Sequence, residues 1–391
     1  MFDTNKKYWF TVEPYVFITH TIDCCLLYNT LDGAMIEISQ SKVIKLIQSL
    51  SEDENCGVVL FDGEQLLDND INSFITELRS KFMGDIIDIS FSCGKPIQFM
   101  PILNLQRDVS RLKSSNKSVG VDVMKYLNDV TVDFSTINID KRSLDIATSL
   151  YTFFNTISKV KVIRLKDVWN FPNSKELMGF LKYSHSLKKI NCSYKNISSN
   201  KLLTIPDGRF LLEIELDFPL NIQKWEDVWN VLSSKKLPNE IIFNITSEYE
   251  YEQAVLIIDE YSIESSQIKL KFTGINLPFF EENVFISKED ILKEVLSLRE
   301  IFANQALNTF DFGKITVKSN GDVYANEHYP PLGNITTHTI QEMLYKEMDQ
   351  GESWLRIRNQ APCNNCIYQW LCPSPSDYEL EIGKPNLCHV K

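Results

Sequence analysis

Four cysteines fall within the last 29 residues, as Cys363-x2-Cys366-x5-Cys372 and, fifteen residues further on, Cys388. Two thiolates separated by two residues grip one metal ion or one cluster edge from a single tight turn, and the third and fourth close the site from neighbouring loops. Loop formers surround them: Pro362, Asn364, Asn365, Pro373, Pro375, Gly383 and Pro385 are expected to break any helix in this stretch. The pattern points to a metal or iron–sulfur site, with paired disulfides or free thiols as the alternatives. No other cysteine grouping in the chain suits radical chemistry.

A chain of 391 residues is expected to form two or three domains. Its 43% hydrophobic content is ample for buried cores, and 24% charged residues is ordinary for a soluble protein. The net charge of −12, with no dense Lys/Arg cluster, argues against a nucleic-acid partner, which needs a basic stripe. No stretch approaches the roughly 18–20 continuous apolar residues of a membrane span, so no membrane partner is expected. The opening MFDTNKKYWF lacks the apolar region of a signal peptide, and the expected location is cytoplasmic. Nine cysteines in a reducing compartment favour thiolate ligation over disulfides. Five of them (Cys24, Cys25, Cys56, Cys93 and Cys192) are scattered among apolar neighbours and are expected to be core or half-buried residues.

Residues 8–90 read as one compact unit. YWFTVEPYVFITH and DCCLLYNTLDGAMIEI look like strands joined by turns, with a hairpin signal at Asp32-Gly33. A helix should follow, capped by Ser39 or Ser41, with Val43, Ile44, Ile47 and Leu50 on one face. A second, capped by Asp68 or Asn69, shows the stripe Ile71, Phe74, Ile75 and Leu78, and GDIIDISF closes the unit as a wing-like strand. SCGKPIQFMPILN reads as a linker. Beyond it, strands expected at 129–135, 161–166, 187–193, 211–218, 240–246 and 267–274 alternate with helical stretches. That alternation argues a parallel sheet with crossover helices, and six units suggest a partial barrel. From about residue 305, GKITVKSNGDVYANE reads as a hairpin turning at Asn320-Gly321, and THTIQEMLYKEMDQGESWLRI as a helix leading into the cysteine loops. No internal repeat or low-complexity tract is present.

The tail resembles the SPASM domain, the C-terminal extension of radical-SAM enzymes that mature ribosomally made peptides. The resemblance rests on GKITVKSNGDVYANEHYPPLGNI (313–335) followed by Cys363, Cys366, Cys372 and Cys388. It implies one [4Fe–4S] cluster on those four residues. The family's first auxiliary cluster is not expected. The family's G-x4-C reads Gly321-x4-Asn326 here, the cysteine expected four residues after Cys372 is Ser376, and 306–312 contains no cysteine. The partial barrel resembles the radical-SAM core, whose C-x3-C-x2-C follows the first strand. Here DVTVDFS is followed by TINIDKRSLD, without cysteine, so neither S-adenosylmethionine binding nor radical activity is expected.

YNTLDGAMIEIS and the two capped helices resemble the leader-recognition domain of such maturases, in which the precursor's leader adds as a strand. The whole is similar to pseudo-radical-SAM proteins encoded beside peptide maturases in some Bacteroidales-type systems. The implied fold is α/β: a partial (βα)6 barrel (93–304) between a small α+β winged-helix-like leader-recognition domain (1–92) and a cysteine-rich SPASM-like domain (305–391). The implied role is a non-catalytic partner that binds a precursor peptide and an active radical-SAM maturase.

Other readings stand beside it. Four thiolates suit tetrahedral zinc as well, and the metal could serve folding alone. The chain could instead be an electron-transfer protein serving the maturase, or an enzyme with unrelated chemistry in the degenerate barrel. His389 is expected at the surface, and Tyr368 and Trp370 in a small core around the metal loop. Tyr8, Trp9, Phe10, Tyr15 and Phe17 should form a core face more than a peptide groove, and Trp225 with Trp229 a packing pair. His185, Asp133, Asp217 and Glu248 lie near strand ends, where barrel active sites sit, but no motif organises them.

Overall fold

The computed structural model describes residues 3–98, 122–136, 143–206 and 210–390. The part of the expected linker from residue 99 onward, and residues 137–142 of TINIDKRSLD, lie outside the described residues.

The first unit is built from β1 (Lys7–Val12), β2 (Val16–His20), β3 (Cys25–Asn29), β4 (Met35–Ile38), α1 (Ser41–Leu50), β5 (Val58–Asp62), α2 (Asn69–Ser80) and β6 (Gly84–Asp88). One sheet was expected and two are found. β1 lies between β5 and β6, and β2-β3-β4 form a separate meander, all antiparallel. Asp32-Gly33 makes the β3–β4 turn, with Gly33 at φ +77°, where an L side chain is strained. Asp68 caps α2 by accepting from the amides of Asp70 and Ile71. Neither serine caps α1: the N-cap is Gln40, whose extended backbone sets the start and whose side chain makes no capping bond. The expected stripes of both helices are buried against the inner faces of the two sheets.

Six parallel strands follow: β7 (Asp129–Asp133), β8 (Val162–Lys166), β9 (Leu187–Ser193), β10 (Phe210–Asp217), β11 (Asn239–Ile245) and β12 (Ser266–Leu270). The crossovers carry α3 (Ser143–Thr156), α4 (Ser174–Leu181), a single turn at Ser199–Leu202, α5 (Ile222–Lys235) and α6 (Glu248–Tyr261). The helices α7 (Leu277–Asn283) and α8 (Leu298–Ala306), which the sequence reading did not anticipate, lead into the tail. There β13 (Lys314–Lys318) adds parallel to β7, and β14 (Asp322–Tyr324) and β15 (Gly333–Asn334) extend the edge. The nine-stranded order is β12-β11-β10-β9-β8-β7-β13-β14-β15, an open sheet. Gly313, at φ +79°, makes the approach of β13 possible: a Cβ there would meet the Tyr126 carbonyl oxygen at 2.4 Å.

Successive side chains of a strand point to opposite faces, and here the two faces differ in kind. Val130, Val132, Ile163, Leu165, Ile190 and Leu212 share one core with the buried stripes of the helices. The other face is polar and bonded to itself. Glu213 on β10 is 4% exposed and accepts from Arg164 at 2.8 Å and Lys189 at 2.6 Å. Those cations also reach Asp129 and Glu240. Burial works against the Glu213 charge, but the two cations hold its pKa below the ordinary value. Removing it leaves two partly buried cations with only the longer contacts to Asp129 at 3.4 Å and Glu240 at 3.8 Å. Glu213→Ala is expected to cost about 2–3 kcal/mol and to lower the thermal midpoint of the chain by roughly 3–4 °C, while Val162→Ala on the same sheet should cost less. Equal midpoints for Glu213→Ala and the wild type would show that the pairs carry no net stability.

Candidate metal centre

The helix of the tail, α9 (Ile340–Gln350), is capped by a Thr339/Glu342 box and stopped by Gly351 in the left-handed conformation, so SWLRI lies outside it, contrary to the sequence reading. The cysteine segment follows as tight turns. Cys366 donates its amide to the Cys363 carbonyl at 3.0 Å, and Cys372 donates to that of Tyr368 at 3.0 Å. One short helix does form among the expected loops. α10 (Asp377–Ile382) fits between Pro375 and Gly383 because Ser376 and Glu379 form a capping box and Gly383 supplies the left-handed stop. Cys388 comes back to the site through a bridge with Ile286, fixed by Ile286 N–H to Leu387 O and His389 N–H to Ile286 O, both 3.0 Å.

Cys363, Cys366, Cys372 and Cys388 all line one cavity of about 590 Å³. Cys372 is buried, and desolvation pushes its thiol up to about 12, with the Arg358 guanidinium pulling the other way. Cys366 is raised by burial and by the facing thiols of Cys388 and Cys363. Thiols that resist ionisation together lose their protons to solvent when a metal cation binds and supplies the compensating positive charge. Arg358, itself buried, lies beside Cys372 and Cys363 and is held by Glu379 at 2.9 Å and by the Pro373 carbonyl at 2.6 Å. Among the described residues, no group of three Cys, His, Asp or Glu side chains is found arranged to hold a metal ion. Four soft thiolates lining a cavity suit a polynuclear iron–sulfur cluster or a tetrahedral zinc ion.

The far wall of this cavity comes from the first unit. Thr21, Cys24 and Glu37 line it alongside Lys288 and Tyr368. The β2-β3-β4 sheet turns Val16, Ile18, Cys25 and Leu27 toward its own helices, and Phe17, Leu26 and Tyr28 toward Ile291, Ile301, Tyr368 and Trp370. Tyr368 donates to Glu37 at 2.6 Å, and Lys288 pairs with the same carboxylate. Burial raises the Glu37 pKa, but the bonds from Lys288 and Tyr368 outweigh it and hold the carboxyl below its usual range. Tyr368, pushed up to about 12 by burial and by Glu37, stays a donor throughout. With the folded pKa lowered, this contact stabilises docking above the ordinary Glu value of about 4.3 and is lost as pH falls through the lower folded value. In hydrogen exchange from roughly pH 6 down to pH 3, the wild type is expected to lose protection across β4 and residues 363–372 as that value is crossed. Glu37→Gln should remove that step, and identical profiles would refute the assignment.

Asn326 and Ser376, where the resemblance expects thiolates, have other work. Asn326 donates to Asp311 at 3.3 Å and to Asp377 at 2.6 Å. The Arg356 guanidinium reaches Asp311 and Asp377, each at 3.4 Å, and donates to the carbonyls of Ser376 at 3.1 Å and Pro375 at 3.2 Å. Burial and Asp377 raise the Asp311 pKa; Arg356, Asn326 and Ser353 oppose this. Cross-linking here is done by an arginine fork between carboxylates. Arg356→Met leaves Asp311 buried with Asp377 and no cation, and is expected to cost about 3 kcal/mol, with Arg356→Lys recovering little because an ammonium lacks the fork. Thermal melting of the two variants checks this.

The remaining expectations separate cleanly. Tyr368 and Trp370 are core residues. His389 is exposed and bonds the Glu281 carbonyl. Trp225 and Trp229 pack at 5.5 Å with Tyr261. Tyr8 and Phe10 face the first core, Phe17 faces the tail, and Trp9 and Tyr15 are half-buried. Cys25 and Cys192 are buried and Cys24 is half-buried, but Cys56 and Cys93 are exposed, contrary to expectation. Asp133 and Asp217 end β7 and β10, and Asp133 is paired with Lys318 and Lys166. His185 precedes β9, at the opposite end of the sheet, and Glu248 is an exposed residue opening α6. The sequence reading missed Cys24 as a cavity residue because its turn lies some 340 positions from the quartet. It missed Arg356 because nothing local marks its partners.

No family model matches this chain, and no curated protein matches it. Among solved structures, it is similar to Streptococcus suis SuiB bound to the precursor peptide SuiA, at 10% identity and a TM-score of 0.46, covering 98% of this chain and 99% of that one. SuiB bound to S-adenosylmethionine gives 10% identity and 0.41 over 98% and 99%, and SuiB itself 9% and 0.42 over 97% and 100%. The likeness is coarse.

Proposed function

We propose that this chain is a non-catalytic, SPASM-bearing relative of radical-SAM maturases that binds a precursor peptide and an active maturase, and holds one [4Fe–4S] cluster on Cys363, Cys366, Cys372 and Cys388. The observation that carries the reading is four thiols lining one cavity in the tail beside a chain with no cysteine between Cys93 and Cys192 to hold a catalytic cluster near β7. The likeness of the cysteine spacing to the SPASM pattern favours a cluster over zinc, which four thiolates also suit. Bound there, a cluster supplies one-electron transfer or a rigid cross-link.

In this reading residues 1–92 hold the peptide, 93–304 are the scaffold and 305–391 carry the cluster. The outer edge of β4 is the candidate for strand addition, as it has no partner strand among the described residues. Electron relay to the maturase is the second reading, favoured by the partial exposure of Cys363, Cys366 and Cys388.

Anaerobically purified protein is expected to contain about four irons and four sulfides per chain, with a reducible cluster signal in EPR, both lost in Cys363→Ser/Cys366→Ser. It should consume no S-adenosylmethionine under reducing conditions. One zinc without sulfide removes the cluster, and consumption of S-adenosylmethionine by the chain alone removes the non-catalytic role. Serine variants that leave the maturase complex fully active remove electron relay.

A further inference from the structure

Arg358 is a buried cation with a donor to spare. Its side chain is only 6% exposed, and its guanidinium is fixed at Nε and Nη2. Nε donates to the Pro373 carbonyl at 2.6 Å, while Nη2 donates to Glu379 at 2.9 Å and to the Ser374 carbonyl at 3.4 Å. Nη1 donates to no oxygen, nitrogen or sulfur among the described residues. Nor is it sealed in protein: the unpartnered nitrogen that is fully covered in this region is Arg356 Nε. Arg358 Nη1 therefore borders open space.

Two spaces meet at this side chain. Arg358 lines the cavity of the four tail cysteines and also a neighbouring pocket of about 370 Å³, whose wall includes Tyr329, Gln360 and Lys384. Cys363 lines both as well, so a sulfur ligand borders either space that Nη1 can face. Burial works against the Arg358 charge, but Glu379, Cys372 and Cys363 hold its pKa above the ordinary value. Lys288, the other cation of the cavity, is already engaged by Glu37. Buried donors are almost always paired, so a spare one on a fixed fork beside the thiols points to an acceptor in the thiol site.

We propose that Arg358 sets the reduction potential of the cluster site, with Nη1 donating to a sulfur of the bound cluster or of Cys363. This rests on the cluster reading above and names the control on that same site. Reduction adds one electron, supplied by dithionite in the test, and the added negative charge strengthens the N–H to sulfur bond. No covalent bond breaks, and the proton stays on Nη1 because a guanidinium does not deprotonate in proteins. Positive charge and hydrogen bonds at the sulfurs favour the reduced form, so the potential is raised. A group that sets a potential serves electron transfer and is idle in a purely structural cross-link.

The test is a redox titration followed by EPR on anaerobically purified wild type, Arg358→Gln, Arg358→Lys and Lys384→Gln. Arg358→Gln is expected to lower the equilibrium constant for reduction at least tenfold, about 59 mV for one electron, at unchanged iron and sulfide content. Arg358→Lys should fall between it and the wild type, because an ammonium keeps the charge and loses the fork. Lys384→Gln removes the same charge from the neighbouring pocket and should leave the potential where it was. Should the Arg358 variants fail to load, the wild type decides alone. With isotopically labelled arginine side-chain nitrogens, pulsed EPR of its reduced cluster should show a nitrogen coupling. An unchanged potential in Arg358→Gln, an equal fall in Lys384→Gln, or a reduced wild type without that coupling overturns the proposal. A wild type without iron and sulfide removes the cluster reading and this role together, while a loaded wild type whose potential ignores Arg358 removes only this role.

Discussion

Strand β3 is buried on both faces, and the arrangement of the whole molecule depends on it. Cys25 and Leu27 belong to the core that the first unit shares with its own helices, and Leu26 and Tyr28 belong to the core it shares with the tail. A three-stranded meander alone is marginal in water. Packed between two cores, it becomes the layer that joins them. At roughly 25 cal/mol per Å² of apolar surface, side chains such as Phe17, Leu26 and Tyr28 make this contact too costly to leave open. The cysteine loops, poor in regular structure, gain a rigid wall from it.

The tail uses two unlike solutions to one problem, the ordering of segments with little secondary structure. On one side four thiols enclose a cavity lined by a buried arginine. On the other Arg356 bridges Asp311, Asp377 and two carbonyls. The second needs no metal but carries the desolvation cost of a buried carboxylate, visible in the raised Asp311 pKa. Arg358 works differently, because its charge faces sulfurs as well as Glu379. A cation among thiols favours the thiolate form that a metal requires, and the two arginines, two residues apart, both hold the 373–379 segment through its carbonyls.

Much of this was legible in the sequence. All six central strands stand where apolar alternation and β-rich composition placed them, and both helices of the first unit bury their expected stripes. Period-2 and period-3.6 patterns are local, so one chain segment suffices to read them. The split of β1 and β2 into different sheets was not readable, since YWFTVEPYVFITH has the same composition in either pairing. Nor was the self-bonded polar face, because Arg164, Lys189 and Glu213 become partners only once β8, β9 and β10 are in register. In the site, the quartet was visible from its spacing. Cys24 looked like any cysteine in an apolar strand, and only the fold of the β2–β3 turn separates it from Cys25.

The quartet and the first unit cannot be energetically independent. Thr21, Cys24 and Glu37 form one wall of the space that the four thiols enclose, and Tyr368, between Cys366 and Cys372, is bonded to Glu37. A group held jointly by that wall and the thiols would favour the docked arrangement over a displaced one by its difference in affinity for the two. On the proposed reading, linkage would make the effect reciprocal: a peptide strand holding β4 in its docked position would tighten the hold on the metal by the same factor. The route is short, because β4 carries Glu37 itself and one hydrogen bond separates that side chain from the cysteine loop. On that reading, binding at the sheet edge and occupancy of the thiol site would be two expressions of one packing equilibrium.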